Sequence, residues 1–357
     1  MKIFTKWRIT LSAMLISIFL FVSSGSLTGP CYYSQIIYGE LQILINRTPV
    51  ASLLADKNTS DTLKKNLREI SEMREFAISK LGLPETGSFT SYVDTGRGYA
   101  TWVLTATPEF SVIPKTWCFP VAGCSSFLGF FNEKTAERAK EKLTKKGYDV
   151  SLRGVTAYST IGWFSDPVMN THFDRSLPSL AGLVFHEKAH EKLFIKGDTP
   201  FNEAFATFVE QTGKRLWIVQ HYKKNEVKKI LNREKYAEDF SMLMSQTNRE
   251  LSALYGRQLL PEKTRILKKE IFIKMQVQYT LLKKKWGGYT GYDAWFEKNF
   301  NNAGVVNQET YKSLIPFFQK LFDLSGKNFG PFYEQVKKIS KLSKKKRYEE
   351  IQKVLLE

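Results

Sequence analysis

Apolar residues recur at helical spacing along most of the chain, and the exceptions mark where its architecture changes. Residues 32–54 carry helical apolar spacing, and residues 61–81 repeat it. The second stretch should open at Ser60 or Asp61 and stop at Gly82, with Pro84 just beyond. The pattern then changes. Residues 89–93, 99–105 and 155–164 are rich in β-branched and aromatic side chains and are bounded by Gly, Pro or Asp, which predicts strands. Residues 133–146 between them read as a helix. From Leu180 onward almost everything is helical, with turn signals at Gly197-Asp198, Trp286-Gly287-Gly288 and Ser325-Gly326. No internal repeat or long low-complexity linker interrupts the pattern. An α+β protein with a mostly helical C-terminal lobe is predicted, divided into residues 31–220 and 221–357.

The first 30 residues follow a different logic. Lys2, Lys6 and Arg8 precede an apolar run at residues 9–22, and Ser23, Ser24, Gly25 and Ser26 follow it. A run of 14 residues suits a signal-peptide core and is short for a membrane-spanning helix. Residues 1–30 are therefore expected to be a signal peptide or N-terminal membrane anchor. The chain would then be exported to the cell envelope, either anchored or periplasmic. Cys31 stands where a lipoprotein carries its acylated cysteine, but Thr28-Gly29-Pro30 is a poor lipobox, so both fates stay open. In an oxidising compartment Cys118 and Cys124, with Pro120 and Gly123 between them to turn the chain, are expected to form a short-loop disulfide. Two buried free thiols are the alternative.

A formal charge of +18 admits three readings: a solvated lysine-rich surface, nucleic acid, or an anionic membrane. Residues 337–347 are the densest basic run, with seven Lys or Arg and no acid. No Cys/His finger or aromatic ribonucleoprotein signature accompanies it, so nucleic acid is not expected. A basic C-terminal surface could assist membrane attachment through the N-terminus.

The chemistry concentrates at His186-Glu187-Lys188-Ala189-His190. Four residues separate the histidines, so on a helix they lie about 40° apart and can share one ion. Glu187 stands beside such an ion, where it can take a proton from water, while Lys188 and Lys192 should point toward solvent on the opposite side. An amphipathic helix with two ordinary histidines is the plain alternative. After a break at Gly197, Thr199 can cap a second helix with Pro200 at its first position. That helix carries Glu203, Thr207 and Glu210 on one stripe and Phe205, Phe208 and Val209 toward a core. Packed antiparallel, it would bring Glu203 over both histidines. Two His and one Glu form an open catalytic zinc set. Glu210 is the rival ligand, but orienting an imidazole suits it better; an ordinary helix carboxylate is also consistent.

Asn202-Glu203 after an H-E-x-x-H helix resembles the gluzincins, in which that Glu is the third zinc ligand. More narrowly, residues 31–342 resemble a family of bacterial envelope aminopeptidases, often lipoproteins, with an H-E-x-x-H core. The matching segments include the Cys31-Tyr32-Tyr33 start, Trp117 to Cys124, Ala157 to Phe164, and Gly197 to Glu210, the last being the most specific. Lys188, Glu191 and the poor lipobox depart from the family pattern. The resemblance implies a zincin-like core of small sheet and metal helix, a Zn2+ cofactor, and hydrolysis of peptide or protein substrates, labelled in the family as aminopeptidase action. Tyr158, on the segment before the metal helix, could hold substrate or donate to the oxyanion; a packed sheet tyrosine is the alternative. Two other functions remain open on sequence: a zinc endopeptidase, and a non-catalytic envelope module that retains the zinc fold.

Overall fold

A computed structural model describes residues 27, 29–119, 123–157, 165–298, 300–306 and 314–356. The apolar N-terminal run, Pro120 and Tyr158 lie outside the described residues. The chain is α+β and forms two compact units, each discontinuous in sequence. One comprises Met1–Asn46, Tyr99–Val155 and Phe240–Gln308; the other comprises Arg47–Gly98, Thr156–Asp239 and Glu309–Glu357. The division expected at residue 220 follows chain order, whereas the contacts distribute the C-terminal half between both units.

The first unit centres on an antiparallel sheet of β3 (Thr101–Pro108) flanked by β6 (Leu128–Phe130) and β7 (Tyr148–Val155). Helix α4 (Glu133–Thr144) is capped by Asn132, whose Oδ1 accepts from Thr135 N at 3.0 Å, and buries Ala136, Ala139 and Leu143 beside Leu104, Phe130 and Val150. Helix α1 (Pro30–Ile45) has Cys31 as its second residue, and Gln35 Oε1 ties it to the sheet by accepting from Phe131 N at 2.7 Å. The hairpin of β4 (Trp117–Phe119) and β5 (Gly123–Ser125) pairs Cys118 with Cys124, and the two are joined in a disulfide. Helix α7 (Lys224–Tyr255) enters this unit from the other; α8 (Pro261–Lys285), α9 (Asp293–Lys298) and α10 (Asn302–Val306) follow it. The Asn302 amide nitrogen donates to Glu109 O at 2.9 Å and to Ser111 O at 3.1 Å, fixing α10 to the end of β3.

The second unit is mainly helical, with a small sheet of β1 (Thr48–Pro49), β2 (Ser91–Val93) and β8 (Val168–Met169), antiparallel then parallel. Helix α2 (Val50–Ala55) follows β1. Helix α3 (Asp61–Ser79) starts as the capping signal predicts: Ser60 Oγ accepts from Leu63 N at 3.3 Å. It buries Leu67, Ile70, Met73, Phe76 and Ala77, then ends ahead of Gly82, which turns the chain at φ 63°. The core is aromatic. Phe205 and Phe208 on α6 (Thr199–His221) pack against Phe318 of α11 (Ile315–Leu324) and Phe332 of α12 (Phe329–Ser340), all at most 2% exposed. Helix α13 (Lys344–Leu356) closes the unit.

Several expected boundaries move. Residues 32–54 are two helices, because the chain turns at Asn46 and Pro49 belongs to β1, where its missing N–H is tolerated at a sheet edge. The strand expected at 89–93 begins two residues later, since Phe89 has a φ of 62° and bends the backbone. The strand expected at 155–164 overlaps the observed one only at Val155, where β7 ends, and residues 158–164 lie outside the described residues. No helix among the described residues is long and apolar enough to cross a membrane.

Candidate metal centre

Two helices of the second unit build the site. Helix α5 (Leu177–Lys192) carries His186, Glu187 and His190, and α6 carries Glu203 and Glu210. The turn between them is pinned by Asn202, buried, whose amide donates to Ile195 O and accepts from Ile195 N, each at 2.8 Å. Helix α6 begins one residue earlier than the capping signal implies, with Asp198 rather than Thr199 at the N-cap. Asp198 does not cap with its side chain. Its carboxylate is buried and accepts from Arg347 and from Tyr348 Oη, the latter at 3.0 Å, so α13 holds the start of α6. Arg347, the last residue of the basic run, is therefore only 4% exposed and not part of a solvated face.

Glycines let the pair approach closely. A Cβ at Gly182 would lie 3.1 Å from Glu210 Oε1, and one at Gly213 would lie 2.5 Å from a Leu81 methyl and 3.0 Å from Phe185. Phe185 stacks on Phe76 at 5.6 Å, fixing α5 against α3.

On this frame His186 Nε2 and His190 Nε2 stand 3.1 Å apart, and Glu203 presents Oε2 to the first and Oε1 to the second, each at 3.5 Å. Ligand atoms from all three residues lie within 4.8 Å of one another. A tetrahedral ion with ligands at 2.0–2.1 Å needs ligand–ligand separations of about 3.3 Å, so this triangle fits a bound divalent metal. His186 Nδ1 lies 3.0 Å from Glu210 Oε2; a carboxylate only accepts, so Nδ1 carries the proton and Nε2 is left for the metal. Glu210 thus bonds the far nitrogen of this imidazole and stands outside the three-residue group.

The electrostatics also call for a cation. Burial disfavours the charged form of His186, but hydrogen bonds to Glu203 and Glu210 and the charges of Glu210 and Glu187 outweigh it and push this imidazole up to about 10. Burial and the neighbouring His186 charge push His190 down to about 4, against the pull of Glu203. Without metal the pair therefore holds one positive charge in the place a metal ion would take. Burial would raise Glu203 and Glu210, yet the bond from His186 and the surrounding positive charges hold both below the usual carboxylate range. For Glu210 those charges include Lys214, four residues along α6, and Arg175. Lys214 also pairs with Glu234 of α7 at 2.9 Å.

A family model described as "Putative aminopeptidase" matches residues 31–351. The chain belongs to this family. No curated protein and no solved structure matches it. The family description points to a hydrolase acting on peptides, and the match spans both helices of the metal centre.

Of the residues singled out by sequence, the structure brings His186, His190, Glu203 and Glu210 together, with Glu187 half-buried beside His186. Lys188 departs from expectation. It is fully buried, and its ammonium donates to Glu191 Oε2 at 3.1 Å and to Thr86 Oγ1 at 3.2 Å. Helix α5 is therefore covered at Lys188, whereas Lys192 on the same side is exposed as expected and donates to Gly82 O at 3.0 Å. Sequence reasoning did not find Arg175. Its Nε donates to Thr156 Oγ1 at 2.8 Å, and burial lowers its affinity for its proton while the charges of Glu210 and Glu187 sustain it. No spacing rule selects such a residue, because it reaches the site from a turn rather than along α5.

Proposed function

We propose that this protein is a zinc-dependent aminopeptidase of the cell envelope, with a gluzincin-type site on a zincin-like core. The observation that carries the reading is the His186, His190 and Glu203 triangle, sized for one tetrahedral ion and built on an H-E-x-x-H helix. Three protein ligands leave a fourth position open, the arrangement of a catalytic rather than a structural zinc. Bound there, zinc would polarise the scissile carbonyl and acidify the water beside it.

The chain's own groups supply the rest. Glu210 accepts the His186 Nδ1 proton and fixes the ring so that Nε2 faces the ion. Against burial, the bond from His186 and its charge, with smaller contributions from Lys214 and Arg175, hold the Glu210 carboxyl below the usual carboxylate range. Glu187, adjacent in sequence to one ligand and ionically coupled to it, takes the proton from the attacking water and returns it to the leaving amine. Tyr158 remains the candidate for holding substrate. The exported location and attachment through the N-terminal segment or a lipid on Cys31 belong to the same proposal, supported by the basic-then-apolar start of the chain.

Digestion of a peptide library tests this reading. Wild-type protein should release single residues from free N-termini, lose that activity to a chelator and regain it with added zinc, and leave acetylated peptides intact. Internal fragments from acetylated peptides would instead make it an endopeptidase. No cleavage of any peptide by zinc-loaded protein would leave only the non-catalytic module.

A further inference from the structure

Helix α8 is apolar on two opposite faces. Thr264, Phe272, Met275 and Tyr279 are buried in the first unit. On the far side Ile266, Ile273, Val277 and Leu281 are 61%, 49%, 56% and 63% exposed. At helical spacing these four fall within an arc of about 80° and run for about 22 Å along the axis. A monomer seldom leaves so long an aliphatic line in water.

The charges around the line indicate what covers it. Within α8 there are eight Lys or Arg and two acids, Glu262 and Glu270. Four of the basic residues are engaged inside the unit: Arg265 with Glu109, Lys268 with Asp149, Lys274 with Glu250 and Lys283 with Asp293. Lys263, Lys269 and Lys284 are exposed and make no ion pair among the described residues. Lys263 and Lys269 lie about 60° to either side of Ile266, and Lys284 continues its line five turns on. Aliphatic side chains bordered by uncommitted lysines match a surface with apolar depth and negative headgroups. Glu270 is the one acid within the line, and a helix lying in the plane of the interface leaves its carboxylate within reach of water.

We propose that the outer face of α8 docks on an anionic lipid bilayer, with Ile266, Ile273, Val277 and Leu281 entering the headgroup region and Lys263, Lys269 and Lys284 meeting lipid phosphates. This contact is separate from the N-terminal segment and does not depend on the peptidase reading. It would hold the first unit against the membrane along α8.

Lysine footprinting of the full-length protein tests the proposal. The protein is mixed with vesicles of phosphatidylcholine alone, or with about 30% phosphatidylglycerol, and trace acetylation of each lysine is read by mass spectrometry. Lys263, Lys269 and Lys284 should react at least about 5-fold more slowly on the anionic vesicles than on the neutral ones. The variant Ile273→Glu/Val277→Glu, altered only at exposed positions, should lose that protection while keeping its helical circular dichroism. If that pair disturbs folding, Ile266→Ser/Ile273→Ser serves in its place. Equal reactivity on both vesicle types overturns the proposal. So does protection that survives the substitutions, which would mean bare electrostatic screening. Protection without lipid that rises with protein concentration also overturns it, in favour of self-association.

Discussion

At Gly182 a single hydrogen in place of a methyl decides how closely Glu210 can approach α5. A Cβ there would sit 3.1 Å from the Glu210 oxygen and 3.3 Å from Lys214 Cδ, both of which must then give way. Gly182→Ala should raise helix propensity by up to about 1 kcal/mol. It should nevertheless weaken zinc binding by roughly 10–100-fold, the scale for losing a partner behind a ligating imidazole. A competitive chelator titration measures this, and unchanged affinity would show that Glu210 does not orient His186. The residues with a spacing rule were legible in the sequence: two histidines one turn apart, and a glutamate on the next helix. Gly182, Arg175 and the burial of Lys188 were not, because each depends on what packs against α5. A helical wheel places Lys188 opposite the two histidines but cannot tell whether Thr86 or water meets it there.

Among the elements, α13 has a role that its sequence conceals. Its basic start reads as a solvated run, yet Arg347 is buried against Asp198 at the head of the helix that carries Glu203. Removing one member of a buried pair leaves the other charge uncompensated, so Arg347→Met should destabilise the protein by about 3–5 kcal/mol. Arg347→Met/Asp198→Asn should cost clearly less, and denaturant unfolding of the two variants decides. Equal losses would mean that packing, not charge, holds α13. The turn before α5 makes a pH-dependent contribution. His172 is buried in the 3-10 turn Asn170–Asp174, and its Nδ1 accepts from Met169 N at 3.2 Å, so it is neutral. Burial, reinforced by the Arg175 charge, pushes it down to about 3. An unfolded histidine takes a proton near 6.5, so below that pH the unfolded chain binds a proton that the folded chain refuses. Stability is therefore fully present above about 6.5 and falls as pH drops toward 3, by at most about 1.4 kcal/mol per pH unit. His172→Asn should flatten the stability profile between pH 6.5 and 5; identical slopes in both proteins would refute the assignment. The long helices were readable because many periods fit inside them. The three-residue strands β4, β5 and β6 were not, since so short a run shows no alternation.

For the molecule as a whole, apolar patterning revealed the α+β class but not how the chain divides. The two units exchange segments at residues 46, 98, 155, 239 and 308, and contact rather than chain order sets such boundaries. The candidate metal centre crosses none of these boundaries: His186, Glu187, His190, Glu203 and Glu210 all fall between Thr156 and Asp239 of one unit. In the proposed function this site hydrolyses peptide bonds with Glu187 as the proton carrier. Glu187→Gln keeps size and hydrogen-bonding capacity but removes the basic carboxylate, and it leaves His186, His190 and Glu203 in place. The decisive measurement is its rate of peptide hydrolysis against wild type at equal zinc content per chain. The rate should fall at least about 100-fold, the usual scale for a lost general base. An unchanged rate in the zinc-loaded variant would rule out Glu187 as the base and the proposed mechanism with it.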